Sequence, residues 1–284
     1  MFFHLFKSFS ISKAIKNISE NVVLYFTSKK CKNVDPWAFI HVCNEERTLK
    51  QSLESIVPAI SRGVIAYNEC TDKSKEIIDE FCRKNTGFIC VYYPYDVANV
   101  ECTKSEKSSK KSLSDYYNFA LSFIPQGDWL IKIDADQIYD AKKLKESFSL
   151  VKRTNEIVFY FRINLHFADS KIYIDRDAPI FDPKDHWLIC NKGLYFEDSI
   201  VRENGEEIFY YELLQIPFKH ESYDAELNTW HFPYMKRRRA HCEPNLIPFK
   251  NYKEVIPQEF LDRINEDMLD EKRILKFFET EKQN

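Results

Sequence analysis

Glycine is scarce here, with five in 284 residues. None falls in a GxGxxG or GxxxxGK[ST] pattern, which excludes a phosphate cradle built on a glycine-rich loop. The eight cysteines include no CxxC pair and no spacing of the kind that suggests a zinc site. A charge imbalance is also missing: 41 Lys and Arg against 44 Asp and Glu leave 41 minus 44, or −3, which argues against a general nucleic-acid-binding surface. Near the N-terminus the longest apolar run is Val22 to Phe26, far short of the roughly 20 residues that span a bilayer.

What is present is a chain long enough for one large α/β domain with appendages. Cys43 and Cys90 lie in apolar, strand-like runs, where reduced thiols behave as small buried hydrophobes, and a reducing cytoplasm is the simplest setting. "MFFHLFKSFSISKAIKN" is followed by no small-residue cleavage site and does not read as a signal peptide. Its Phe2, Phe6 and Phe9 with Lys7, Lys13 and Lys16 suit a short amphipathic helix, lying on a membrane surface or packed on its own domain. Residues 1–34 are therefore set apart as an N-terminal segment.

From Trp37 short apolar runs alternate with helix-length amphipathic segments, the pattern of a mostly parallel sheet flanked by helices. "WAFIHV", "GVIAY", "FICVYY" and "WLIKI" read as strands, and "EIVFYFRINLHF" as a further one. Asn44 is a candidate N-cap for the helix carrying Leu49, Leu53 and Ile56. "NVECTKSEKSSKKS", residues 99–112, reads as a mobile loop, a substrate lid or a solvated connector. Near the end, Phe260, Ile264, Met268, Leu275 and Phe278 recur at helical spacing, which predicts a docked helical extension over 241–284.

The chemistry concentrates in "WLIKIDADQIYD". An apolar strand runs straight into Asp134 and Asp136, and two carboxylates that close raise each other's cost of ionisation unless a positive charge intervenes. Residues two apart in an extended segment point the same way, and hard carboxylate oxygens suit Mg²⁺ or Mn²⁺, which bridges to a diphosphate. Ligands of open α/β sheets bind at the carboxyl ends of the strands, where this pair is expected. A solvated capping turn is the alternative. The basic run Lys236 to His241 suits a diphosphate, an anionic lipid surface or a plain solvated face, and Trp187, Tyr195 and Trp230 could stack on a sugar or belong to the core.

The strings "PWAFIHVCNEERTLKQSLESIVPAISRGVIAYNECTD", "FIPQGDWLIKIDADQIYDAKKL" and "HFPYMKRRRA" resemble the GT-A glycosyltransferases, and more closely the Campylobacter-type lipooligosaccharide β-1,4-N-acetylgalactosaminyltransferases. The resemblance spans about 35–240 and implies a GT-A domain there, a UDP-sugar donor, Mn²⁺ or Mg²⁺, inversion at the anomeric carbon and a lipid-linked saccharide acceptor. With the charge balance and cysteine usage above, no nucleic-acid partner is expected, and the expected location is cytoplasmic, with peripheral contact at the inner membrane open. The resemblance places Asn44, Glu45, Asn68 and Asp72 beside the nucleotide, Asp134 on ribose or metal, Asp136 on the metal and His231 as a third metal ligand. Many relatives have an Asp directly after the second strand, where this chain has Tyr67-Asn68-Glu69. Inversion also needs a base, for which Asp198 is the first candidate, with Asp185 and Glu197 behind it. Two other readings stay open: a nucleotidyltransferase releasing pyrophosphate, and a non-catalytic GT-A-like saccharide- or partner-binding module.

Overall fold

The structure, a computed structural model, describes residues 29–279 apart from 32, 183 and 240. The amphipathic segment predicted near the N-terminus lies outside the described residues. In chain order the first half holds β1 (Trp37–Val42), α1 (Leu49–Ile56), β2 (Arg62–Tyr67), α2 (Ser74–Lys84), β3 (Phe88–Tyr92), β4 (Glu101–Thr103), α3 (Lys104–Ser109), α4 (Leu113–Leu121), β5 (Trp129–Asp134), β6 (Gln137–Tyr139), α5 (Ala141–Ser147) and β7 (Glu156–Phe159). The second half is mainly strands: β8 (Arg162–Ala168), β9 (Lys171–Asp175), β10 (Ile180–Phe181), β11 (Trp187–Cys190), β12 (Tyr195–Asn204), β13 (Glu207–Gln215), β14 (Glu221–Asp224), β15 (Thr229–His231) and β16 (Leu246–Pro248). Two helices follow, α6 (Gln258–Leu261) and α7 (Glu271–Glu279).

The expected largely parallel sheet is present as a 7-stranded layer in the order β14-β7-β11-β5-β1-β2-β3, in which only the pairings of β11 are antiparallel. Its inner strands are apolar on both faces because helices cover both. Ile40, Ile65, Ile131 and Ile133 pack with Leu53 and Ile56 of α1 on one side, while Phe39, Val64 and Leu130 pack with Tyr116, Tyr117 and Ala120 of α4 on the other. Each fully buried aliphatic side chain of this kind contributes about 1.5–3 kcal/mol.

A 6-stranded sheet, β16-β9-β8-β15-β6 with β10 alongside β8, adjoins the first. Trp230, Phe232, Met268, Ile274 and Phe278 form its core, so the C-terminal segment packs on this sheet. The run read as one strand, "EIVFYFRINLHF", is divided between the sheets: β7 belongs to the first and β8 to the second. The segment read as a mobile loop instead holds β4 and α3. It pairs with the β12–β13 hairpin, and α3 has a reciprocal capping box between Thr103 and Glu106. At the hairpin tip Gly205 has φ 60, a left-handed conformation that glycine adopts without steric cost.

The cysteine expectation is partly reversed. Cys43 and Cys90 are exposed, Cys90 because β3 is an edge strand with an open face, while Cys190 is buried. No helix among the described residues is long and apolar enough to cross a membrane.

Candidate functional site

The chain leaves the first sheet at Asp134, turns through Ala135 and Asp136, and enters the second sheet as β6. Asp136 thus sits in the seam between the two sheets, fully buried, with its carbonyl accepting the Phe232 N–H at 2.8 Å. β6 pairs with β15, which brings His231 opposite Gln137, and β15 pairs with β8, which puts His231 opposite Asn164.

This pairing sets what each ring nitrogen of His231 faces. Asn164 donates through Nδ2 to the Ala178 carbonyl at 2.7 Å, so its Oδ1 faces His231 Nδ1 at 2.6 Å and accepts that ring N–H. Burial pushes the His231 imidazole below its ordinary pKa despite Asp136 beside it, which favours the neutral ring. Nε2 then carries a lone pair, aimed at Asp136 Oδ2 3.0 Å away. Two lone pairs at that distance repel unless a cation or a proton lies between them.

The donor set fits a hard divalent ion. Neighbouring ligands of an octahedral ion with bonds of ~2.1 Å are ~3.0 Å apart. Asp136 Oδ1, moreover, is buried with no hydrogen-bond partner. Among the described residues no group of three or more His, Cys, Asp or Glu side chains is close enough to hold an ion by itself. That suits Mg²⁺-like chemistry, in which one or two carboxylates share the ion with substrate phosphates and water. Burial opposes ionisation of both aspartates, yet both are held below the usual carboxylate range, Asp134 by Lys132, Lys236 and Arg162 and Asp136 chiefly by Lys236. The two carboxylates therefore share one positive field.

At the ends of β1 and β2 lies a cavity of about 620 Å³ lined by Asn44, Arg47, Thr71, Asp72, Met235 and Arg237, among others. Asn44 is not the cap of α1: Thr48 holds the N-cap position, and Asn44 has φ 58, a left-handed conformation that Asn tolerates. Its side-chain oxygen accepts the Thr71 N–H at 2.7 Å, tying the two strand ends together. Asp72 accepts from the Glu46 and Ser74 amides at 3.0 and 2.9 Å, so it shapes this wall. Asn68 Oδ1 is buried without a hydrogen-bond partner, and Glu45 Oε1 lies 3.4 Å from Lys236 Nζ.

On the other side of Asp134 stands His186, whose Nε2 is 3.1 Å from Asp134 Oδ2 and whose Nδ1 donates to Asp185 Oδ1 at 2.8 Å. Arg162, 2% exposed, reaches the same Asp185 oxygen at 3.1 Å. Lys132 lies 3.7 Å from both Asp185 Oδ2 and Glu212 Oε1. Burial works against the charge of Lys132, but Asp134, Asp185 and Glu212 keep its pKa above the ordinary value. Burial pushes the Glu212 carboxyl up even beside Lys132.

Of the three candidate bases, only Asp185 touches this cluster. Asp198 is bound by Lys107 on α3 and lies across the hairpin from Glu212, while Glu197 is exposed on the hairpin's other face. Trp187 and Trp230 are core residues, 3% and 0% exposed, and the Trp230 indole donates to the Met268 carbonyl; Tyr195 is exposed. Sequence reasoning missed Asn164, Arg162, His186, Lys132 and Glu212. A lysine inside the apolar run "WLIKI" was a readable signal, because a buried ammonium requires carboxylates around it. Nothing in the sequence marks Asn164.

No curated protein matches this chain. Among solved structures it is similar to glucosyl-3-phosphoglycerate synthase from Mycobacterium tuberculosis in complex with Mn²⁺, UDP and glucosyl-3-phosphoglycerate, at 15% identity and TM-score 0.33. The match covers 45% of this chain and 44% of that one, so this chain spans less than half the synthase's length. It is also similar to the inositol-1-phosphate CTP transferase from T. maritima, at 11% identity and TM-score 0.34, covering 56% and 72% of the two chains. Likeness this partial does not bear on function. The family model for beta-1,4-N-acetylgalactosaminyltransferase (CgtA), by contrast, matches residues 10–282, nearly the whole sequence, and the chain belongs to that family.

Proposed function

We propose that this protein is a metal-dependent, inverting glycosyltransferase that moves N-acetylgalactosamine from UDP-N-acetylgalactosamine to a lipid-linked saccharide, working at the cytoplasmic face of the inner membrane. Family membership supports the activity class. The observation that supports the site is His231, held through Nδ1 by Asn164 and with Nε2 3.0 Å from the buried Asp136. In this reading Asp136 and His231 hold Mn²⁺ or Mg²⁺, with Asp134 beside them. When bound, the ion neutralises charge developing on the departing diphosphate.

The remaining work falls to the chain's own side chains. Asn44 and Asn68 contact the nucleoside, with Asp72 shaping their loop, and Arg237 faces the same cavity. Asp185 takes the proton of the attacking acceptor hydroxyl as the new oxygen–carbon bond forms and the bond from the anomeric carbon to the phosphate oxygen breaks. His186 and Arg162 orient Asp185 through one carboxylate oxygen, and the other, Oδ2, 3.7 Å from Lys132 Nζ, is the one that takes the proton.

The test is UDP release from a panel of UDP-sugars with an oligosaccharide acceptor, in Mn²⁺ and in EDTA, for wild type and Asp136→Ala. Release that depends on the metal, favours the N-acetylgalactosamine donor and is lost in the variant is expected. Consumption of a different donor alone would overturn the donor assignment, and release that survives EDTA would overturn the metal.

A further inference from the structure

Lys236 occupies a position that the reading above leaves unexplained. Its chain neighbours Met235 and Arg237 line the large cavity, yet its own side chain turns inward to the seam. Nζ lies 3.2 Å from Asp136 Oδ2 and 3.4 Å from Glu45 Oε1, and the side chain is only 12% exposed. An ammonium therefore neutralises the same carboxylate oxygen that His231 Nε2 approaches at 3.0 Å.

A divalent ion on that oxygen and an ammonium hydrogen-bonded to it would be a few ångströms apart in a buried seam, where like charges repel strongly. One has to leave. A lysine is a compact charge on a flexible four-carbon stem and a good point-charge partner for phosphate, and the cavity beside it is the one assigned to the donor nucleotide. We propose that Lys236 is an exchangeable counter-ion. It rests on Asp136 and Glu45 in the empty protein, and it swings to the donor's diphosphate when the ion takes its place on Asp136. This rests on the metal-dependent UDP-sugar reading.

The exchange couples two binding events. The ion alone must displace Lys236 with no new anion to receive it, whereas the ion with nucleotide sends Lys236 to a phosphate. Mn²⁺ and UDP then tighten one another reciprocally, by a factor on the order of tenfold. Lys236→Met removes the charge and keeps an unbranched stem.

The experiment follows free Mn²⁺ by electron paramagnetic resonance during titration of the protein, without and with saturating UDP. For wild type, weak Mn²⁺ binding tightened by UDP is expected. For Lys236→Met, Mn²⁺ binding without UDP should be about tenfold tighter than in wild type, UDP binding weaker, and the mutual tightening smaller. Lys236→Arg, which keeps the charge, should retain most of the coupling. Structural damage would weaken Mn²⁺ binding, so a gain separates the two explanations. Unchanged or weaker Mn²⁺ binding by the folded Met variant overturns the exchange, and Lys236→Gln gives the same comparison if the Met variant does not fold. No Mn²⁺ binding by wild type even with UDP refutes the underlying metal site instead.

Discussion

Removing the amide that fixes His231 tests the metal site without touching either proposed ligand. In Asn164→Leu the Nδ1–H loses its acceptor at 2.6 Å, and the ring is free to place its proton on Nε2, the nitrogen facing Asp136. Loss of such an outer partner typically weakens metal binding 10–100-fold, about 1.4–2.8 kcal/mol. The same change leaves the Ala178 carbonyl without its 2.7 Å donor, which costs about 1–3 kcal/mol of stability. Asn164→Asp separates the two effects, since its carboxylate still accepts from Nδ1 but no longer donates to Ala178. Isothermal titration with Mn²⁺ in the presence of UDP, alongside thermal unfolding, should show both variants destabilised but only the Leu variant impaired in Mn²⁺ binding. Wild-type Mn²⁺ affinity in Asn164→Leu, or equal loss in both, would refute the assignment of the ring.

Asp185→Asn should lower transfer by 10²–10⁴-fold while UDP and Mn²⁺ binding stay intact, and Asp198→Asn should change it only a few-fold; the reverse ranking in steady-state assays would return the base to Asp198. Acid stability offers a check on the sheet beneath the site. His41 stacks on Tyr117 with ring centroids 3.7 Å apart, and burial, aided by Lys132, pushes its imidazole down to about 3. Because the folded value lies below the unfolded one, this stability is complete above pH ~6.5 and falls as pH drops toward 3, by about 2 kcal/mol at pH 5. His41→Phe should flatten the urea-unfolding profile between pH 7 and pH 5 by that amount, and parallel profiles would show that His41 does not titrate in this range.

The parallel core was legible because strands buried on both faces print as apolar runs; β1, β2, β3 and β5 fall where the sequence places them. The same property concealed the break at Tyr160 and Phe161, since β7 and β8 are both largely buried and no turn residue separates them. Charge concealed the order in 99–112, although Thr103 with Glu106 and Ser112 with Asp115 spell two capping boxes that the structure forms. In the site, the paired aspartates and His231 could be singled out from short strings. Asn164 and Arg162 reach it only through strand pairing and packing across the second sheet, and distance in sequence hides such partners. Asp198, the first candidate from sequence, stands on a hairpin that pairs it with Lys107, a contact that its acidic stretch does not spell out.

The reversal of β11 gives the site two unequal supports. Parallel strands deliver only their outgoing ends to the binding edge, but β11 enters the sheet beside the outgoing end of β5, Leu188 lying opposite Ile131. Asp185 and His186 therefore arrive on an incoming connection, tied to β5 through Lys132 and Asp134 and to the second sheet through Arg162. Substitutions in the connection that precedes Asp185 can reshape what approaches from that side while β1, β2 and their cavity stay fixed. The face that meets whatever approaches and the face that holds the cavity can therefore be altered separately.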